Sequence, residues 1–199
     1  GFGAPGEVGF SLGIAYTPSQ VANAPAELVE NDLLRAATAI GQGELLASPL
    51  NMALVAAAVI NDGALPQPYI VDRSRSPYGV GISALRIGAG ERVMSAQTAE
   101  QAQAIMVTAV EQGSGSPAQV PGARVGGKTG TAQLGGEDAP HAWFIGFAER
   151  DGEAAAIAVL VEHGGSGFST AAPLFAQVAP AALDALADRG SFDPEPIPE

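Results

Sequence analysis

The chain has no cysteine, one lysine and two histidines in 199 residues. Without thiols, disulfide frameworks and thiolate metal sites are excluded, although this absence does not fix the compartment. A zinc site built on His141 and His163 would need carboxylates to complete its ligand set, and no metal or other cofactor is expected. Positive charge is equally scarce. Nine basic residues face 21 acidic ones, a formal net charge of −12. Nucleic acid and anionic lipid surfaces repel such a chain, so neither is an expected partner. Long apolar runs are missing too. The longest, residues 53–60, is far too short to cross a bilayer, and the chain reads as soluble. No secretory leader is visible and the first residue is glycine, so a processed or partial chain is expected.

Hydrophobic residues nevertheless make up 47% of the sequence, enough for a core. Residues 1–9 read as a glycine- and proline-rich loop. Apolar residues at helical spacing predict a helix over 26–40, closed by Gly41 and Gly43. Ser48 and Pro49 start a second helix that runs to about Ile60, stops at Asn61-Asp62-Gly63 and is apolar nearly all round, so it should be buried. Short strands are expected at 69–71, 85–87 and 92–94, and Ser95 caps a third helix ending near Gln112. The second half changes character. Residues 123–133, 142–149 and 154–162 read as three strands, and Asp151-Gly152 makes the last two a hairpin. A closing helix is predicted over 170–187, interrupted by Pro173 and Pro180. The fold class is therefore α+β: helices, a three-stranded antiparallel meander, then a C-terminal helix. Residues 1–189 form the domain portion, and residues 190–199 an acidic, proline-rich tail without fixed structure.

The chemistry centres on Gly127-Lys128-Thr129-Gly130-Thr131-Ala132-Gln133. Counted from Gly122, the stretch matches a phosphate-binding P-loop ending at Thr129. That alternative fails on context, since no core strand precedes it and the glycines after Thr129 cannot open a long helix. Gly9-Phe10-Ser11-Leu12-Gly13 matches a hydrolase nucleophile elbow, with Ser11 as the serine, but it too lacks a preceding strand. Read as a strand, the central stretch puts Thr129 and Thr131 on one face. An ammonium supplies charge and two hydroxyls supply directional donors, a combination suited to holding a carboxylate. Gly130 lets a ligand backbone approach closely.

Several landmarks together resemble the penicillin-binding protein transpeptidases. Gly41-Gln42-Gly43 followed by Ser48-Pro49, the Lys128-Thr129-Gly130 motif, and His141-Ala142-Trp143-Phe144 stand in the family's order over roughly residues 40–187. The resemblance implies a β-lactamase/transpeptidase-like fold. It also implies a D,D-transpeptidase activity that cleaves D-Ala-D-Ala stem peptides of peptidoglycan through a serine acyl-enzyme which β-lactams trap. By carry-over, Lys128, Thr129, Gly130 and Thr131 bind substrate, with the Thr131 amide as an oxyanion donor. The family's Ser-x-x-Lys and Ser-x-Asn motifs are absent. Lys128 is the only lysine and Val125 stands three residues before it. The expectation is a C-terminal portion whose nucleophile lies in a missing N-terminal half. That portion should be inactive alone and should expose apolar surface that favours self-association. The parent would work at the extracytoplasmic face of a bacterial membrane.

Overall fold

A computed structural model describes residues 19, 29–43, 45–68, 73–76, 78, 81–84 and 90–191. The expected strands at 69–71 and 85–87, the Ser11 motif, the loop over 1–9 and nearly all of the C-terminal tail lie outside the described residues.

Of the helix expected over 26–40, residues 26–28 lie outside the described residues, 29 and 30 are helical, and α1 (Asp32–Ala39) follows after a break at residue 31. Asn31 makes the break: its side chain accepts from the amides of Leu33 and Leu34 at 3.1 and 3.0 Å, which caps a new helix there. Gly41, at φ +79°, closes the helix as expected. Gly41 and Gln42 donate back to the carbonyls of Thr38 and Ala37, the paired bonds of a Schellman motif. Helix α2 (Pro49–Ile60) has Ser48 as N-cap and ends at Asn61. Its Leu54, Ala56, Ala58 and Val59 are buried, and no residue after Pro49 is fully exposed. Two short pairs follow: β1 (Ala64–Leu65) with β4 (Glu91–Arg92), and β2 (Arg73–Arg75) with β3 (Gly81–Ala84). The strand expected at 92–94 is thus shorter and shifted. Val93 and Met94 turn their amides to the Gly63 carbonyl instead of extending the ladder. Helix α3 (Ala96–Gln112) has Ser95 at its N-cap and Gly113 at its C-cap, as the sequence predicts.

The sheet is β5 (Arg124–Ala132), β6 (His141–Arg150) and β7 (Glu153–Val161), antiparallel in chain order. Each strand boundary falls within one residue of the sequence expectation. Asp151 and Gly152 both have positive φ, as a two-residue hairpin turn demands. A π-helical turn (Gly167–Ala171) leads into α4 (Ala172–Ser191). The expected interruption at Pro180 does not occur. The helix runs through it and extends past Ala187. Gly167–Asp188 is long and apolar enough to cross a membrane by length and composition. Its Phe175, Ala179 and Leu183 are buried in the core, so one face of this apolar helix is used against the sheet.

The register explains how the sheet is covered. Side chains alternate across a strand. Phe144 and Ala148 therefore share one face, with Val125 of β5 beside them, and pack with Phe175 of α4. The Phe144 and Phe175 ring centroids are 4.8 Å apart. Phe147 faces the other way, toward the α2 and α3 side. There Gln103 of α3 donates to the Val59 carbonyl of α2 and accepts from Arg124 of β5. Arg124 also lies over the Phe147 ring and pairs with Glu149.

Beta-strand β5 depends on glycine at two adjacent positions. A Cβ at Gly126 would lie 2.4 Å from the Phe147 ring, and one at Gly127 would lie 2.2 Å from the Phe144 ring. Both rings are fully buried and cannot swing away. Gly127→Ala should therefore cost about 3 kcal/mol in urea unfolding. Gly122→Ala, at φ +76° with open space around it, should cost about 1 kcal/mol from backbone strain alone. Equal losses at the two positions would show that Phe144 does not cover Gly127.

Candidate functional site

The residues singled out by sequence meet on β5. Among the described residues this strand is an edge of the three-strand sheet, paired only with β6. Lys128 and Thr131 are exposed, while Thr129 and Gly130 are half-buried. The P-loop alternative is overturned here. Lys128 and Thr129 lie inside an extended strand and are register partners of Ile145 and Phe144, so no helix N-terminus follows to offer amides to a phosphate.

Alternation places the Lys128 side chain on the opposite face from those of Thr129 and Thr131. The lysine stem overcomes this separation. Lys128 Nζ folds back and donates to the Thr129 carbonyl at 2.6 Å, which brings the ammonium to the strand's backbone edge. Thr131 is held from outside the sheet. Its carbonyl accepts from Gln42 Nε2 at 3.0 Å, across 89 residues of sequence. In an antiparallel strand the N–H and C=O of one residue point to the same side. With the carbonyl turned to Gln42, the Thr131 N–H lies on that outer edge too. The Thr129 hydroxyl lies 3.1 Å from Ser114 Oγ, on the loop after α3.

Gly130 sits beside Trp143, its register partner. The π-helical turn presses onto this pair. A Cβ at Gly167 would come within 2.3 Å of the Trp143 carbonyl and 2.6 Å of the Gly130 carbonyl. Ser166 caps that turn, with Oγ accepting from the Ser169 amide at 3.3 Å, in keeping with a turn residue rather than a nucleophile. His141, register partner of Ala132, accepts the His163 amide at Nδ1 at 3.1 Å. Among the described residues no group of three or more His, Asp or Glu could hold a metal. Three positions escaped sequence reasoning: Ser114, Gly167 and the reach of Gln42 to Thr131. All depend on contacts distant in sequence, which leave no local periodic signal.

Three comparisons bear on this site. The sequence profile of the penicillin binding protein transpeptidase domain matches residues 25–179. The chain is 34% identical over 178 residues to the peptidoglycan D,D-transpeptidase PbpA of Mycolicibacterium smegmatis, covering 87% of this chain and 36% of that protein. It is 30% identical over 156 residues to the peptidoglycan D,D-transpeptidase MrdA of Acinetobacter baumannii, covering 68% and 23%. Among solved structures, penicillin-binding protein A of M. tuberculosis in its penicillin G acyl-enzyme complex superposes with a TM-score of 0.74 at 32% identity, covering 94% of this chain and 41% of that one. The chain thus spans about a third of the length of the PbpA relative, 36%.

A phosphate-binding loop and a carboxylate-holding strand make opposite forecasts for nucleotides. Isothermal calorimetry with ATP and magnesium should give no heat of binding, because the amides around Lys128 are committed to a strand and the net charge of −12 opposes polyphosphate. Micromolar binding abolished by Lys128→Ala would reinstate the loop.

Proposed function

The chain belongs to the penicillin-binding protein transpeptidase family, and on that premise we propose that it forms the carboxylate-holding strand of a peptidoglycan D,D-transpeptidase. The observation that carries this reading is the convergence at the open edge of β5: the Lys128 ammonium beside the Thr129 carbonyl, and the Thr131 N–H facing outward.

In this reading a stem peptide ending in D-Ala-D-Ala lies along that edge. Its terminal carboxylate meets Lys128 and the hydroxyls of Thr129 and Thr131, a cation and two donors for an anion that only accepts. Gly130 has no side chain to hold the peptide away. A serine attacks the carbonyl of the penultimate D-Ala, and the negative charge that develops on its oxygen meets the Thr131 N–H. Collapse breaks the peptide bond, the terminal D-Ala leaves with the proton taken from the serine, and an amine of a neighbouring stem then receives the acyl group. A β-lactam is attacked in the same way and stays on the serine.

The serine is supplied by a segment outside this sequence, because no Ser-x-x-Lys occurs in it. Support for a missing companion surface comes from α1. Leu33 and Ile40 are 81% and 78% exposed, and Leu46 on the following loop is 58% exposed. Joined to the nucleophile-bearing half of its domain, this surface is covered. Left open, it favours self-association. The substrate places the assembled enzyme at the extracytoplasmic face of the membrane.

Intact mass spectrometry after incubation with penicillin G tests the proposal. The 199-residue chain should show no adduct. A polypeptide joining it to the Ser-x-x-Lys half should gain one penicilloyl mass, and Thr131→Pro, which removes the amide donor, should slow that gain about a hundredfold or more. An adduct on the chain by itself would reveal an overlooked nucleophile, with Ser11 the first residue to replace.

A further inference from the structure

We propose that Ser114 is a positioning residue for this site: its hydroxyl donates to Thr129 Oγ1 and leaves the Thr129 proton for a bound carboxylate. The inference rests on the carboxylate reading of β5 and goes beyond it by adding a residue from a separate loop.

Ser114 Oγ and Thr129 Oγ1 are 3.1 Å apart, and either oxygen can be the donor in the free chain. A carboxylate settles the direction. It has only acceptors, and a threonine hydroxyl has one proton. When Thr129 donates to the ligand, the proton between the two hydroxyls must come from Ser114. The chain of donors Ser114, Thr129, carboxylate then runs one way, and each bond polarises the next. Without the serine, the Thr129 hydroxyl loses a partner that fixes its torsion, and water competes for its lone pairs.

The loop is built to hold this position. Gly113 and Gly115 both donate to the Ala109 carbonyl, at 3.1 and 2.9 Å, so the turn bearing Ser114 is tied to the end of α3. A Cβ on Gly115 would stand 3.0 Å from Val110 Cγ2, and Val110 is buried in the core. Gln119 closes the loop by donating to the Val110 carbonyl at 3.0 Å. Thr129 is held at its other end, where its carbonyl accepts from Lys128. Two rigid elements thus present one hydroxyl each at hydrogen-bond distance, beside the residues proposed to meet the anion.

The test is an amide-resolved NMR titration of the full 199-residue chain with N-acetyl-D-alanine and, separately, with N-acetyl-D-alanine amide. The wild-type chain should show saturable shifts at the Thr129 and Thr131 amides with the acid and far smaller ones with the amide. Ser114→Ala should weaken the acid about three- to tenfold and leave the response to the amide unchanged. Ser114→Thr should retain the wild-type affinity, and Ser114→Val, matched to threonine in shape but without the hydroxyl, should weaken the acid as alanine does. The threonine–valine pair decides the matter even where the alanine variant folds poorly. Equal acid affinity for those two variants, with a responsive wild-type chain, overturns the role of Ser114 alone. A wild-type chain silent at Thr129 and Thr131 overturns the carboxylate reading itself.

Discussion

Everything at the site depends on how β5 is fastened to β6 while its other edge stays open. Two adjacent glycines make this attachment. Gly126 stands opposite Phe147, and Gly127 lies under the ring of Phe144, so one phenyl ring covers the strand on each face. A side chain at either glycine would lift the strand off its neighbour. An unpaired edge is ordinarily a liability, because its free N–H and C=O groups invite another chain. Here the rings hold the strand from above and below, which lets the edge remain available without becoming loose. Arg124, placed over Phe147 and bonded to Gln103 of α3, extends the same clamp to the helices.

The clamp also sets where charge can be placed. Neighbouring residues of a strand face opposite ways, so a lysine and a threonine in sequence cannot both aim their side chains at one ligand from the same face. The length of the lysine stem resolves this, because Nζ can curl round to the Thr129 carbonyl. The result is a positive group at the backbone edge of a chain whose net charge is −12. An anion approaching so acidic a protein is opposed by its overall field. Lys128 is the sole lysine, and no other described basic residue lies on this part of the strand. On the proposed reading, attraction is short-ranged and directional, the kind of contact that hydroxyls and an outward N–H provide.

Much of this was legible in the sequence where a local cause fixes the structure. Ser48-Pro49, Ser95 and Asp151-Gly152 mark element ends through caps and turns whose geometry is set within a few residues, and they fall where expected. The strand character of Lys128 was legible because flanking glycines make a helix costly. Misses arise where two local causes compete. Apolar spacing runs on through residue 31, but Asn31 offers its side chain to two amides and breaks the helix to start a new one there. Pro180 lacks an amide proton, yet α4 runs through it, with Ala179 and Leu183 around it buried. Tertiary burial there overrides a local preference. The π-helical turn at Gly167–Ala171 has no sequence period of its own, and its place is set by the need to fit against Gly130 and Trp143.

The parts that were not legible are contacts between residues distant in sequence. Gln42 reaches Thr131 across 89 residues, and Ser114 reaches Thr129 from the next loop. Neither residue type is unusual in a turn, so neither announces a role. What distinguishes them is that each meets the same strand from a stiffened turn: Gln42 between glycines at φ +79° and +73°, Ser114 between glycines tied to the Ala109 carbonyl. A single edge strand has one paired side, and its free side would otherwise be ordered only by water. Two turns from helix ends supply that missing order at alternate residues, one through a carbonyl and one through a hydroxyl. On the proposed reading, the Thr131 N–H and the Lys128 ammonium between them are the groups that meet the ligand. The strand's three glycines among nine residues follow from close packing: Gly126 and Gly127 lie against the rings of Phe147 and Phe144, and Gly130 against Trp143.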